Sequence, residues 1–137
     1  LPANHCLILG GETTVTLRGN GIGGRNLETI LSAAVALDGA PRRVVAGFAT
    51  DGDDGPTQAA GAIVTGETGG NGRLHHHNPL PYLDNNDSYT FFQQIDAHLP
   101  PEKATLIQTG LTGTNVNDLI FILSYQESTK EIGRLGD

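Results

Sequence analysis

The chain has 137 residues, with 15 acidic and 8 basic side chains and a formal net charge of −7 at pH 7. Scattered cations on an acidic chain exclude a phosphate-tracking nucleic-acid surface, and no apolar run reaches the length of a membrane-spanning helix. A single cysteine, Cys6, excludes an internal disulfide and points to a reducing, cytoplasmic setting.

The length suits one domain around one core. The chain opens "LPANHCLILGG" rather than on Met and enters an apolar run almost at once, so the expectation is a piece of a longer protein. Cys6 to Leu9 reads as a buried strand, with Cys6 as a small core residue. "TTVTL" (Thr13 to Leu17) is β-branched and alternating, a second strand. After the glycine-rich loop, Leu27, Ile30, Leu31, Ala34 and Leu37 recur at helical spacing, with Asn26 as cap and Gly39-Pro41 as stop.

"RVVAGFA" (Arg43 to Ala49) is a continuous apolar strand. Pro56 opens a short helix through Ala59-Ala60, or "GAIV" is a strand. Gly66 to Pro81 reads as loop, with His75-His76-His77 exposed. Asn86, Asp87 and Ser88 cap a helix that Pro100-Pro101 closes. "ATLIQT" (Ala104 to Thr109) and "LIFILSY" (Leu119 to Tyr125) are strands. Strands alternating with helices, several apolar throughout, imply an α/β three-layer αβα sandwich with a mostly parallel or mixed sheet. The ligand site is expected where "GNGIGGRN", "ATDGDDGPT" and "LTGTNVND" meet.

Gly19-x-Gly21-x-x-Gly24 matches the dinucleotide fingerprint, but the acidic residue it wants about 20 residues on is misplaced. Asp38 sits at a helix end, and Asp51, where the next strand ends, lies further along than the ribose contact asks. The strand-loop-helix setting still favours an anion, through free N–H groups, the helix dipole and Arg25. The alternative is a plain turn with Arg25 in a surface ion pair. "TDGDDG" fails the EF-hand pattern. Mg²⁺ at Asp51, Asp53 or Asp54 and a simple Asp/Gly turn both remain open.

Four stretches in order, "GGETTVTLRGNGIGGRNLE", "TDGDDGPT", "NNDSYTFF" and "TGLTGTNVNDLIF", closely resemble the C-terminal, MOFRL-type domain of the glycerate 2-kinase family, also named hydroxypyruvate reductase. The resemblance runs from about Cys6 to Leu123. It assigns residues 1–125 to that domain and leaves 126–137 as a polar tail. It implies transfer of the ATP γ-phosphoryl group to the 2-hydroxyl of D-glycerate with Mg²⁺, in a cleft shared with a larger N-terminal domain. Neither cofactor is expected on this domain alone.

Carried onto this sequence, the resemblance makes Arg25 and Asp51 the catalytic candidates, with Asp51 and Asp54 as metal ligands. Glu12, Gly23, Gly24, Asn26, Glu28, Thr114, Asn115, Asn117 and Asp118 would bind substrate or phosphate. Many relatives carry Gly-Thr-Asp-Gly-Thr-Asp-Gly where this chain has Ala49 to Gly55, and Gln where it has Leu27. Two other readings stand beside it. One is NAD(P)H-dependent reduction of hydroxypyruvate. The other is a stand-alone binding or assembly module, with a homodimer through uncovered strands.

Overall fold

A computed structural model describes residues 1–127, so the expected tail lies outside the described residues apart from Gln126 and Glu127. The first apolar run forms β1 (His5–Gly11), the helically spaced run forms α1 (Arg25–Ala36), and "RVVAGFA" forms β2 (Arg43–Ala49). Then come β3 (Gly61–Thr65), α2 (Thr68–Leu74), α3 (Pro79–Asp84), α4 (Ser88–Asp96), a 3-10 turn at Pro101–Lys103, β4 (Leu106–Ile107) and β5 (Asp118–Ser124). No helix among the described residues is long and apolar enough to cross a membrane.

The α/β class agrees with the sequence. The five strands form one sheet in the order β1-β5-β2-β3-β4, and every adjacent pair is antiparallel. The parallel alternative fails for a specific reason. β1 and β2, joined through α1, do run parallel to each other, but β5 inserts between them antiparallel to both. The register places Gly11, Asp118 and Ala49 in one row at a single end of the sheet.

The core lies between the sheet and the helices. Leu27, Ile30, Leu31 and Ala34 of α1 are fully buried against Val45, Ala62 and Val64, with Phe91, Phe92 and Ile95 of α4 completing the cluster. Burying each of the larger side chains stabilises the fold by about 1.5–3 kcal/mol. Gly47 faces α1 and lets Ile30 approach the sheet. The four helices pack on one another and on this face. The opposite face carries Val44, Phe48 and Phe121, half-buried, and Ile8, Ile63 and Leu123, exposed. Apolar residues thus occupy both faces, as the sequence implies, while the described helices cover one of them.

Several local expectations change. Thr13 to Leu17 is not a strand: no strand among the described residues pairs with it, and the segment leaves the end of β1 to reach Asn86, whose Nδ2 donates to the Thr16 carbonyl. "GAIV" belongs to β3, and no helix forms at Pro56 to Ala60. α2 and α3 occupy the supposed loop between Gly66 and Pro81. α2 contains three glycines, and tertiary packing overrides their poor propensity. At Gly72, any Cβ would press on Phe91 and on the His77 carbonyl. Cys6 is exposed, because it sits on the outermost strand and faces away from the helices.

Candidate active site at the loop end of the sheet

The loops following β1 and β2 and the loop preceding β5 meet at the sheet end marked by Gly11, Asp118 and Ala49. Arg25, the first residue of α1, reaches across to the first residue of β5. Its Nε donates to Asp118 Oδ2 at 2.5 Å and its Nη2 to Asp118 Oδ1 at 2.7 Å, a two-pronged charged pair. Asp118 is buried, and Glu12 Oε1 lies 3.9 Å from Arg25 Nε. The Asp118 hydrogen bonds hold the guanidinium pKa above its usual value, although burial works the other way. A cleft of about 220 Å³ opens beside Arg25, Gly23 and Glu28. A second, of about 300 Å³, opens beside Glu12 and Asp118.

Asp54 plays a different part from the one its sequence motif suggests. Its side chain is fully buried, and its Oδ1 accepts from Asn26 N and Nδ2 at 3.0 and 3.2 Å. Its Oδ2 accepts from Leu27 N at 2.9 Å. Asp54 therefore caps α1 from a distant loop, while Asn26, expected to be the cap, is the second helical residue and donates. The carboxylate occupies the N–H groups that a dinucleotide fingerprint would offer to a pyrophosphate.

The glycine loop is held from its other side by the segment Asn85 to Asp87. Asn86 Oδ1 accepts from the N–H groups of Arg18 and Gly19 at 2.6 and 3.0 Å, and its Nδ2 donates to Glu28 Oε2 at 3.4 Å. Asn85 Oδ1 takes the Asn20 N–H and Asp87 Oδ1 the Ile22 N–H. Glu28 is buried and also accepts the Ser88 N–H. The sequence reading placed Asn86 to Ser88 correctly at the start of α4 but gave their side chains to that helix. The side chains of Asn86 and Asp87 serve the glycine loop instead, Asp87 Oδ1 also accepting from Thr90 Oγ1 of α4, while Ser88 Oγ is buried without a partner among the described residues. The positive φ of Asn86, 53°, is what aims its side chain there, and nothing local in the sequence announces it.

Half-buried Asp51 and exposed Thr114, Asn115 and Asn117 form a second group. Thr50 Oγ1 donates to the Asn117 carbonyl at 2.7 Å, Thr112 Oγ1 to the Thr50 carbonyl at 2.5 Å, and Asn115 Nδ2 to Asp51 Oδ2 at 3.3 Å. Asp51 Oδ1 accepts the Asp53 N–H. The Thr114 N–H turns inward to Thr112 Oγ1. All twelve sequence-derived site residues thus lie in the three converging loops or the helix and strand they lead into. Asp51 and Asp54, however, turn to separate partners.

That separation bears on a metal. Asp54 spends both oxygens on N–H donors, Asp51 accepts from the Asp53 N–H of its own loop and from Asn115 Nδ2 of the loop before β5, and no group of three metal-ligating side chains occurs among the described residues. The residues present do not by themselves make a Mg²⁺ site. The histidine run is remote in character: His75 stacks on His98 with ring centroids 4.0 Å apart, and His77 Nδ1 lies 2.8 Å from the Tyr82 hydroxyl.

Comparison with known proteins matches this arrangement to a family. Residues 5–118 match the MOFRL family. The D-glycerate 2-kinase of Thermotoga maritima is 51% identical over 114 residues, which are 83% of this chain and 25% of that protein. Bovine glycerate kinase is 41% identical over 130 residues, covering 92% of this chain and 24% of the relative. The crystal structure of the Thermotoga maritima glycerate kinase superposes with a TM-score of 0.79 at 49% identity, over 87% of this chain and 27% of that one. A Pyrococcus horikoshii protein superposes with a TM-score of 0.78 at 36% identity, over 89% of this chain and 26% of its own. The chain spans about a quarter of the length of the relatives it matches. It belongs to the MOFRL family.

Proposed function

We propose that this domain supplies the acid-gripping part of an ATP-dependent glycerate 2-kinase site, completed by a further domain of the whole protein. The observation that carries the proposal is the group Arg25, Asp118 and Glu12 at the junction of the three loops. Asp118 takes Nε and one edge of Nη2 and so fixes the plane of the guanidinium. The remaining hydrogens of Nη1 and Nη2 are left for the carboxylate of a small hydroxy acid. Glu12, with an exposed side chain, accepts from a hydroxyl of the same molecule. Phosphoryl transfer depends mainly on such positioning and on charge neutralisation.

Charge counting favours a shared site. One guanidinium against two carboxylates leaves this cluster at net −1, which does not attract glycerate or ATP. Further cations, and the binding of ATP with its Mg²⁺, belong to the rest of the protein in this reading. Asp51 stays a candidate acceptor for the hydroxyl proton.

The test is an assay of D-glycerate phosphorylation by the protein encoded in the gene's whole reading frame. Formation of 2-phosphoglycerate is expected, with kcat/KM falling about 1,000-fold in Arg25→Ala, the loss typical of one charge-stabilising group. Turnover by Arg25→Ala within a few-fold of the parent would remove Arg25 from the site. Absence of phosphoglycerate from the folded parent would end the kinase reading.

A further inference from the structure

We propose that the uncovered face of the sheet and the outer edge of β1 form one continuous docking surface for the rest of a longer polypeptide. That polypeptide lays a strand against β1 and an apolar layer over the face. This goes beyond the proposed activity and rests on the shape of the sheet and on the length of the relatives.

The first argument is the composition of β1. It stands at one end of the strand order, so one row of its N–H and C=O groups lacks a sheet partner among the described residues. All seven of its residues are exposed, yet the strand reads His-Cys-Leu-Ile-Leu-Gly-Gly. Edge strands are ordinarily blunted by charges, proline or bulges. β1 has none of these, apart from His5 at its start. Leu7 and Leu9 on one side of the strand and Ile8 on the other are 43%, 44% and 58% exposed. Apolar side chains on both sides describe an interior strand.

The second argument is continuity. Ile8 pairs in register with Phe121, and Phe121 with Ala46, which pairs with Ile63. Phe48 stacks on Phe121 with ring centroids 5.9 Å apart. The apolar surface therefore runs unbroken from the edge of β1 across β5 and β2 to β3, on the side away from the helices.

The occupant follows from geometry and length. A second copy pairing through β1 would extend the sheet and leave the face bare. A second copy stacking face to face would cover the face and leave the edge bare. A segment of the same longer polypeptide can do both, and the relatives hold about three quarters of their length outside the region matched here.

The test compares this 137-residue chain with the protein from the whole reading frame, and needs no turnover. Cys6 lies on the surface in question and is exposed, so its alkylation, followed on its own peptide by mass spectrometry, reports the cover directly. Hydrogen exchange of the β1 amides reports the edge. In the longer protein both rates are expected to fall at least about tenfold relative to the chain alone, which should run as a monomer. Ile8→Glu changes an exposed side chain, so the isolated variant should fold like its parent while the longer variant regains fast exchange in β1. Equal rates in the two proteins, protection through a dimer of the isolated chain, or a reading frame that adds no further polypeptide would each overturn the proposal. A longer protein that protects β1 without phosphorylating glycerate would keep this inference and lose the kinase reading.

Discussion

Two loops of this chain look alike as text and differ as objects. "RGNGIGG" and "GLTGTNV" are both short, rich in glycine and studded with small polar residues, and both run toward the cluster of Arg25 and Asp118. In the first, the glycines are pressed against protein. A Cβ at Gly19, Gly21, Gly23 or Gly24 would overlap Asn85, Asp87, Ser88 or Asp54 respectively, and none of the four has a positive φ. In the second, Gly110 and Gly113 have φ of 66° and 77°, and a Cβ at either would meet nothing within 4 Å. One loop uses glycine for closeness and the other for backbone conformation. The first is therefore a rigid platform that sets the start of α1. The second is an exposed strap, tied to Thr50 and Asp51 by a few hydrogen bonds.

The sharpest way to break this comparison is Gly21→Ala. The added methyl would meet the Cα and Cβ of Asp87 and the Asn85 carbonyl, none of which is the end of a flexible side chain. Backbone must move, and the hydrogen bond from Gly21 N to the Asn85 carbonyl moves with it. A loss of about 3 kcal/mol or more is expected in urea unfolding, at the upper end of overpacking costs. A loss under about 1 kcal/mol would mean that the loop is no platform.

Asp54→Asn tests how the platform is tied to the helix. An amide keeps the shape but turns one acceptor into a donor facing an N–H group. The expected cost is about 2 kcal/mol, the larger end of a lost helix cap. The pH dependence carries a sign. Burial raises the Asp54 carboxyl above its ordinary 3.8, against the pull of the Leu27 and Asn26 donors and of Arg25. An acid with a raised folded pKa holds its proton more tightly when folded. Its contribution is complete below 3.8 and is lost as pH rises through the folded value. The parent's advantage over Asp54→Asn should therefore shrink as pH climbs through that window. An advantage that grows instead would show that the N–H donors outweigh burial.

The contrast also explains what could be seen in the sequence. α1, β2 and β5 were legible because apolar spacing reports directly on a buried stripe or strand. The residues of the candidate site were legible mainly as motifs, since Arg25, Asp54 and Asp118 are separated by 29 to 93 positions at their extremes and only folding pairs them. The supports were not legible. Asn86 works through a left-handed backbone, and its partners lie 58 to 70 residues away. Thr13 to Leu17 has every local mark of a strand and lacks only a neighbour, which local pattern cannot supply. α2 carries three glycines and is helical because Gly72 fits against Phe91.

The smallest expected effect completes the contrast. At Gly113 the space is open, so Gly113→Ala should lose only the left-handed backbone penalty, about 1 kcal/mol. Gly113→Asn should lose less, because asparagine tolerates that conformation and its side chain meets only solvent. Both variants leave Thr50, Asp51 and Thr112 in place, so exchange at residues 112–117 should quicken while the global unfolding midpoint shifts little. The order of the two substitutions is the decisive reading. If alanine and asparagine cost the same, φ is not what Gly113 provides. If Gly113→Ala costs as much as Gly21→Ala, the strap is packed against something as firmly as the platform is.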